Sequence, residues 1–127
     1  LELAKNRNPD ILILNAYWYK YYATEVAHGG NPDQLLHLAE IFPEPDITIH
    51  LQVTPEEAFD RKAELSGYET GFAEPRSKEA FVAFQTRAQK ALEGLEKRCN
   101  WVSTNKTDTI DQITSSILKN IGVEKQA

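Results

Sequence analysis

The sequence predicts an α/β fold built on a parallel sheet. Three observations point there. Ile11-Leu12-Ile13-Leu14 is a continuously apolar run, as a strand covered on both faces requires. Asp46 to Val53 alternates, with Ile47, Ile49, Leu51 and Val53 on one side and Thr48, His50 and Gln52 on the other. A helix-like stretch, Tyr17 to His28, follows the first run and a strong helix start, Thr54-Pro55-Glu56-Glu57, follows the second, so strands and helices alternate along the chain.

The elements follow in order. Asn8-Pro9 is a turn signal that opens the first strand, Ile11 to Leu14. Tyr17 to His28 reads as a helix closing at Gly29-Gly30. Asn31-Pro32-Asp33 starts the next helix, with Asn31 as cap and Pro32 at the first helical position, where its missing N–H costs nothing. Leu35, Leu38, Ala39 and Phe42 share one face of it, and Pro43 and Pro45 end it. After the strand at Asp46 to Val53, Thr54-Pro55-Glu56-Glu57 combines a cap, a first-position proline and a capping-box glutamate, which predicts a helix from Pro55 to about Leu65. The loop Ser66 to Ser77 is long for a simple connection, and loops of that length serve as lids or binding loops. Lys78 to Arg98 carries Phe81, Phe84, Ala88, Ala91, Leu92 and Leu95 as the buried stripe of a long helix. A short strand, Trp101 to Ser103, leads to a last helix, Thr109 to Ile121, which Gly122 ends.

Composition bounds the function. The 127 residues, 41% of them hydrophobic, are expected to form a single domain with a modest core. A net charge of -5 with scattered Lys and Arg argues against a nucleic-acid surface. Ile11 to Leu14 is the longest clean apolar run, far short of the roughly 18 to 20 residues that span a bilayer, so no membrane segment is expected. The single cysteine, Cys99, forms no internal disulfide and is expected to be partly buried. A reducing compartment and a cytoplasmic location are the expectation. The chain has no methionine and starts at Leu1, which reads as an excerpt or cleavage product of a longer protein.

From Pro45 onward a family pattern emerges. Pro45-Asp46-Ile47-Thr48-Ile49-His50-Leu51-Gln52-Val53-Thr54-Pro55-Glu56, followed by Ala58 and Arg61, resembles the proline-aspartate strand, strand-proline-glutamate turn and arginine-bearing helix of thymidylate kinases. Gly67-Tyr68-Glu69-Thr70-Gly71-Phe72 resembles the family's lid, Phe84 to Leu92 the helix after it, and Asn100 to Lys106 the last strand and the adenine-bordering loop. The resemblance covers roughly Ile11 to Ile121. It implies a partial doubly wound parallel sheet of the phosphate-loop (P-loop) nucleotide-kinase type, with a lid at about 66–77. It also implies transfer of the ATP γ-phosphoryl group to a nucleoside monophosphate, typically dTMP, with ATP and Mg2+, and a homodimer paired through helices. Such transfer depends on positioning and charge neutralisation.

The sequence departs from that pattern at several points. No glycine at 29, 30, 67, 71, 94 or 122 precedes a lysine, so the Gly-x-x-x-x-Gly-Lys-Ser/Thr phosphate loop is absent from these residues. Asn15-Ala16-Tyr17 stands where the family carries aspartate-arginine before an aromatic, and Gly67 stands at the lid arginine. Val26-Ala27-His28-Gly29 falls where the family reads alanine-aromatic-glutamine-glycine. In the family's sheet the phosphate-loop strand lies between the strands matching Ile11–Leu14 and Asp46–Val53. Without it those strands do not pair, and buried unpaired backbone groups cost about 1–3 kcal/mol each. Residues 1–127 alone are therefore expected not to fold as a stable monomer.

Carried over by resemblance, Arg61 and Arg76 are the candidate catalytic residues. Asn15, Tyr17, His28, Tyr68 and Glu69 are the candidate substrate-binding residues, and Asn105 with Lys106 borders the adenine. Each has a plainer reading as a solvated helix arginine, a packing tyrosine or a turn. Arg87 reads as a salt-bridge partner for the lid helix, and Tyr17, Trp18, Tyr19, Tyr21 and Tyr22 as a base-stacking, interface or core cluster. Glu25-x-x-His28 has carboxylate-metal spacing but no second copy, so no metal is assigned. The alternative to a kinase is an inactive relative that binds nucleotide or protein.

Overall fold

The computed structural model describes residues 2, 6–99, 101–105 and 107–122. Within them the regular elements are helices α1 (Tyr19–Ala27) and α2 (Pro32–Ala39), strand β1 (Ile49–His50) and helix α3 (Pro55–Asp60). After a 3-10 turn over Tyr68–Thr70 come helix α4 (Lys78–Cys99), strand β2 (Val102–Ser103) and helix α5 (Ile110–Asn120).

The helix starts form as their residues dictate. Asn31 Oδ1 accepts from Gln34 N at 3.1 Å and Thr54 Oγ1 from Glu57 N at 3.1 Å, each with proline in the first helical turn. Thr109 and Gln112 form a reciprocal capping box at α5. Gly29 ends α1 at φ 101, in the region open to glycine without a Cβ penalty.

Helix α4 organises the core. Phe81, Phe84, Ala88 and Leu95 are buried, and Ala91 and Leu92 are half-buried, so the sequence stripe is the packed face. Helix α1 lies against it through Ala23 and Thr24, α3 packs on it through the Phe59–Phe81 ring pair at 5.8 Å, and the 3-10 turn packs on it as well.

The strands are much shorter than the sequence predicts. β1 pairs only with β2, in parallel, with Ile49 opposite Val102 and His50 opposite Ser103. The Ile11–Leu14 run forms no ladder with any described residue. It is irregular, and Ile11 and Ile13 are 58% and 86% exposed. A strand exists only by pairing, and neither this run nor the open edge of β1 has a partner among the described residues. For the same reason Ile47 and Leu51 face solvent at 36% and 57% exposure.

Three other expectations change. Helix α3 stops at Asp60 rather than near Leu65, with Arg61 as its C-cap, and Lys62 beyond it pairs with Glu69 of the loop. In α2 only Ala39 is buried, while Leu38 and the following Phe42 are exposed. Cys99 is exposed at the end of α4 rather than partly buried.

Glu96 ties the two strands to α4. One carboxylate oxygen meets His50 Nδ1 at 3.1 Å, and the other accepts from Ser103 Oγ. The pair is mostly buried. Glu96→Ala leaves both partners without that acceptor and should cost about 1–3 kcal/mol in a urea unfolding experiment.

Candidate functional site

The residues with chemistry gather where the 66–77 loop folds onto α1. Glu69 shapes the loop from within. Its carboxylate accepts from Ser66 N at 3.2 Å and Ser66 Oγ at 2.9 Å and pairs with Lys62, while its carbonyl accepts from Gln85 Nε2 at 3.2 Å. Thr70, buried beneath the turn, returns its hydroxyl to the Ser66 and Gly67 carbonyls. Gly71 follows at φ 65, and a Cβ there would stand 3.0 Å from Phe84 Cδ2, so the turn needs glycine for both backbone and space.

Burial alone would raise the Glu69 pKa. The Lys62 ammonium and the Ser66 hydroxyl and amide outweigh it and hold the carboxyl below its ordinary value. A carboxyl depressed by folding contributes stability that is present above its unfolded pKa and lost as pH falls through the folded one. The loop should therefore hold at neutral pH and loosen as pH drops below about 4.3, the ordinary glutamate value. Amide exchange of residues 66–70, corrected for its intrinsic pH dependence, should show that step, and Glu69→Gln should remove it.

Tyr68 reaches across to α1. Its hydroxyl lies 2.9 Å from Thr24 Oγ1 and 2.9 Å from Glu25 Oε1. Burial pushes the phenol pKa up; the Thr24 contact lowers it and the Glu25 carboxylate raises it further. Beside it the His28 ring sits among Tyr68, Phe72 and Phe84, with centroids at 4.6, 5.2 and 4.4 Å. His28 Nε2 is buried with no hydrogen-bond partner. Arg87 closes the far side, donating from Nε to the Ala27 carbonyl at 3.4 Å with its guanidinium 5.5 Å from the Phe84 ring centre. It makes this contact instead of the salt bridge expected from sequence.

Of the candidate residues, the structure thus brings together His28 and Tyr68, with Glu69 in the same turn. Arg76 stays within its own loop, donating to the Leu65 carbonyl at 3.4 Å. The others are engaged elsewhere. Arg61 is the exposed C-cap of α3. Asn15 lies in a tight turn, its carbonyl accepting from Tyr17 N at 2.7 Å. Tyr17 donates to the Pro43 carbonyl at 2.9 Å and packs edge-on to Phe42. Asn105 N donates to Asp108 Oδ2 at 2.9 Å, and Lys106 lies outside the described residues. Thr24 is the residue that sequence reasoning missed, and Glu25 stood out there only for its metal-like spacing to His28, not as a partner of Tyr68. Their position next to the helical aromatic cluster was the available signal, but nothing local ties them to Tyr68.

In that cluster Tyr17, Trp18, Tyr19 and Tyr22 stay in contact, with Tyr19 5.7 Å from Tyr17 and 4.6 Å from Trp18, and only Tyr21 stands apart. Trp18 meets Tyr22 edge-on at 6.0 Å, and Tyr19 packs on Trp101 at 4.5 Å, whereas Tyr21 is 69% exposed. Trp18, Tyr19, Phe42, Ile47, Leu95 and Trp101 help line an open cavity of ≈ 650 Å³. Among the described residues no group of three or more His, Cys, Asp or Glu side chains could hold a metal ion. No described helix is long and apolar enough to cross a membrane.

No family model matches the chain. One curated relative is a protein of Sulfolobus acidocaldarius described as a probable thymidylate kinase. It is 36% identical over 61 residues, covering 48% of this chain and 31% of that protein. The matched part thus spans about a third of the relative's length, and the likeness supports a distant kinase-like relationship.

Proposed function

We propose that the chain is the C-terminal portion of a nucleoside monophosphate kinase of thymidylate-kinase type, whose complete protein transfers the ATP γ-phosphoryl group to a (deoxy)nucleoside monophosphate, dTMP first among them. The observation that carries the reading is the loop over residues 66–77. It bears Tyr68-Glu69 in the order of the family's lid and folds back on α1, as a lid over a substrate face would. The partial similarity to a probable thymidylate kinase supports it.

On this reading the fold is a partial doubly wound parallel sheet in which residues 11–14 and β1 flank a further strand bearing the phosphate loop. Among the described residues no group of three or more His, Cys, Asp or Glu side chains stands together, so a magnesium ion would be held chiefly by the nucleotide phosphates and water. What the described residues offer is positioning. Arg61 and Arg76 are exposed cations able to meet phosphate, Thr24 and Glu25 carry hydrogen-bonding groups on the face of α1 that the loop meets, and Tyr68 carries one on the loop.

An inactive nucleotide-binding relative is the second reading. Asn15-Ala16 favours it, because a neutral amide and a methyl cannot supply the charges of the family's aspartate-arginine pair. Thermal shift of the complete protein with ATP and dTMP tests both. A rise in Tm with nucleotide keeps the kinase and the inactive binder; no rise with either nucleotide removes both and leaves a protein-interaction domain.

A further inference from the structure

We propose that Tyr68 is a latch that holds the 66–77 loop shut against α1, and that the latch is built to release. The holding side is the phenol. Its oxygen lies 2.9 Å from both Thr24 Oγ1 and Glu25 Oε1. The Thr24 hydroxyl spends its own proton on the Lys20 and Tyr21 carbonyls, so toward Tyr68 it can only accept, as can the carboxylate. One phenol proton therefore serves two acceptors, and it is the hydrogen-bonding link from the turn to Thr24 and Glu25.

The releasing side is beneath it. His28 Nε2 is buried and unpartnered under the cap formed by Tyr68 and Phe72. A buried polar atom with no partner disfavours the state that buries it. Lifting the cap lets water reach that nitrogen, while Phe84 stays with α4. The second opposing feature is Phe72 itself. It sits at φ 58, a left-handed conformation that a bulky residue adopts only under constraint, held by its N–H to the Gly67 carbonyl. Phe72 is also 66% exposed, so little packing is lost when it swings away.

The closed loop thus sets two hydrogen-bond contacts and ring packing against an orphaned nitrogen and a strained residue. An element balanced in this way has two accessible states. Released, it frees the Glu25 carboxylate, already exposed, from the phenol and uncovers the Thr24 hydroxyl of α1 and the half-buried His28 imidazole that caps it. The latch stands whether or not the protein transfers phosphoryl groups, because its parts are hydrogen bonds and ring contacts between the loop, α1 and His28.

Amide hydrogen exchange in the complete protein tests it, comparing Thr70, Gly71, Phe72 and Ala73 with the α4 amides of residues 84–95. Tyr68→Phe keeps the ring and removes the hydroxyl, and it should speed exchange of the turn amides about 5- to 10-fold with α4 unchanged. His28→Phe keeps an aromatic ring and removes the orphaned nitrogen, and it should slow the same amides several-fold. Three results would overturn the proposal: no change in the turn with Tyr68→Phe, an equal rise in the turn and α4, or faster turn exchange with His28→Phe.

Discussion

Phe84→Ala should destabilise the protein by about 3–5 kcal/mol, the range for emptying a buried phenylalanine site. The side chain has no exposed surface and stands where three elements meet. His28, which caps α1, packs on it at 4.4 Å, Gly71 after the turn leaves no room for a Cβ against its edge, and Arg87 covers its outer face. The neighbours cannot all collapse into the space, because Gly71 is fixed by its backbone and His28 by the end of α1. Urea unfolding of the complete protein measures the cost. A loss under about 1 kcal/mol would mean that the loop, α1 and α4 do not share this core.

The second large effect concerns Ile13. It is 86% exposed, so if residues 11–14 stay uncovered in the complete protein, Ile13→Asp should leave its stability within about 0.5 kcal/mol. If residues 11–14 flank a phosphate-loop strand in the complete protein, the same substitution puts a carboxylate into a sheet covered on both faces. There it should cost about 3 kcal/mol or more. Urea unfolding of the complete protein thus separates an apolar run that is a strand beside its neighbour from one that is simply exposed. A change within about 0.5 kcal/mol in the complete protein would contradict the proposed sheet.

The parts of the fold that were legible in the sequence are those decided within a few residues. Asn31, Thr54 and Thr109 cap their helices because a side-chain oxygen reaches an amide two or three positions on, whatever the rest of the chain does. Helix α4 was legible because its stripe of Phe81, Phe84, Ala88 and Leu95 is long enough to define a face. The strands were not, since alternation names a face but pairing needs a second segment, and only Ile49–His50 finds one. The candidate site follows the same division. The loop and its Tyr68-Glu69 pair stood out from local sequence. Their partners Thr24, Glu25 and Lys62 come from other elements, and His28 fell in a segment whose match to the family is poor.

The most direct measurement is ADP formation by the complete protein with ATP, Mg2+ and dTMP. Turnover that depends on dTMP and yields dTDP in equal amount to ADP is the outcome that the kinase reading predicts. A protein that is folded and bound to nucleotide, yet forms no ADP with dTMP or any other nucleoside monophosphate, would contradict it and leave an inactive relative.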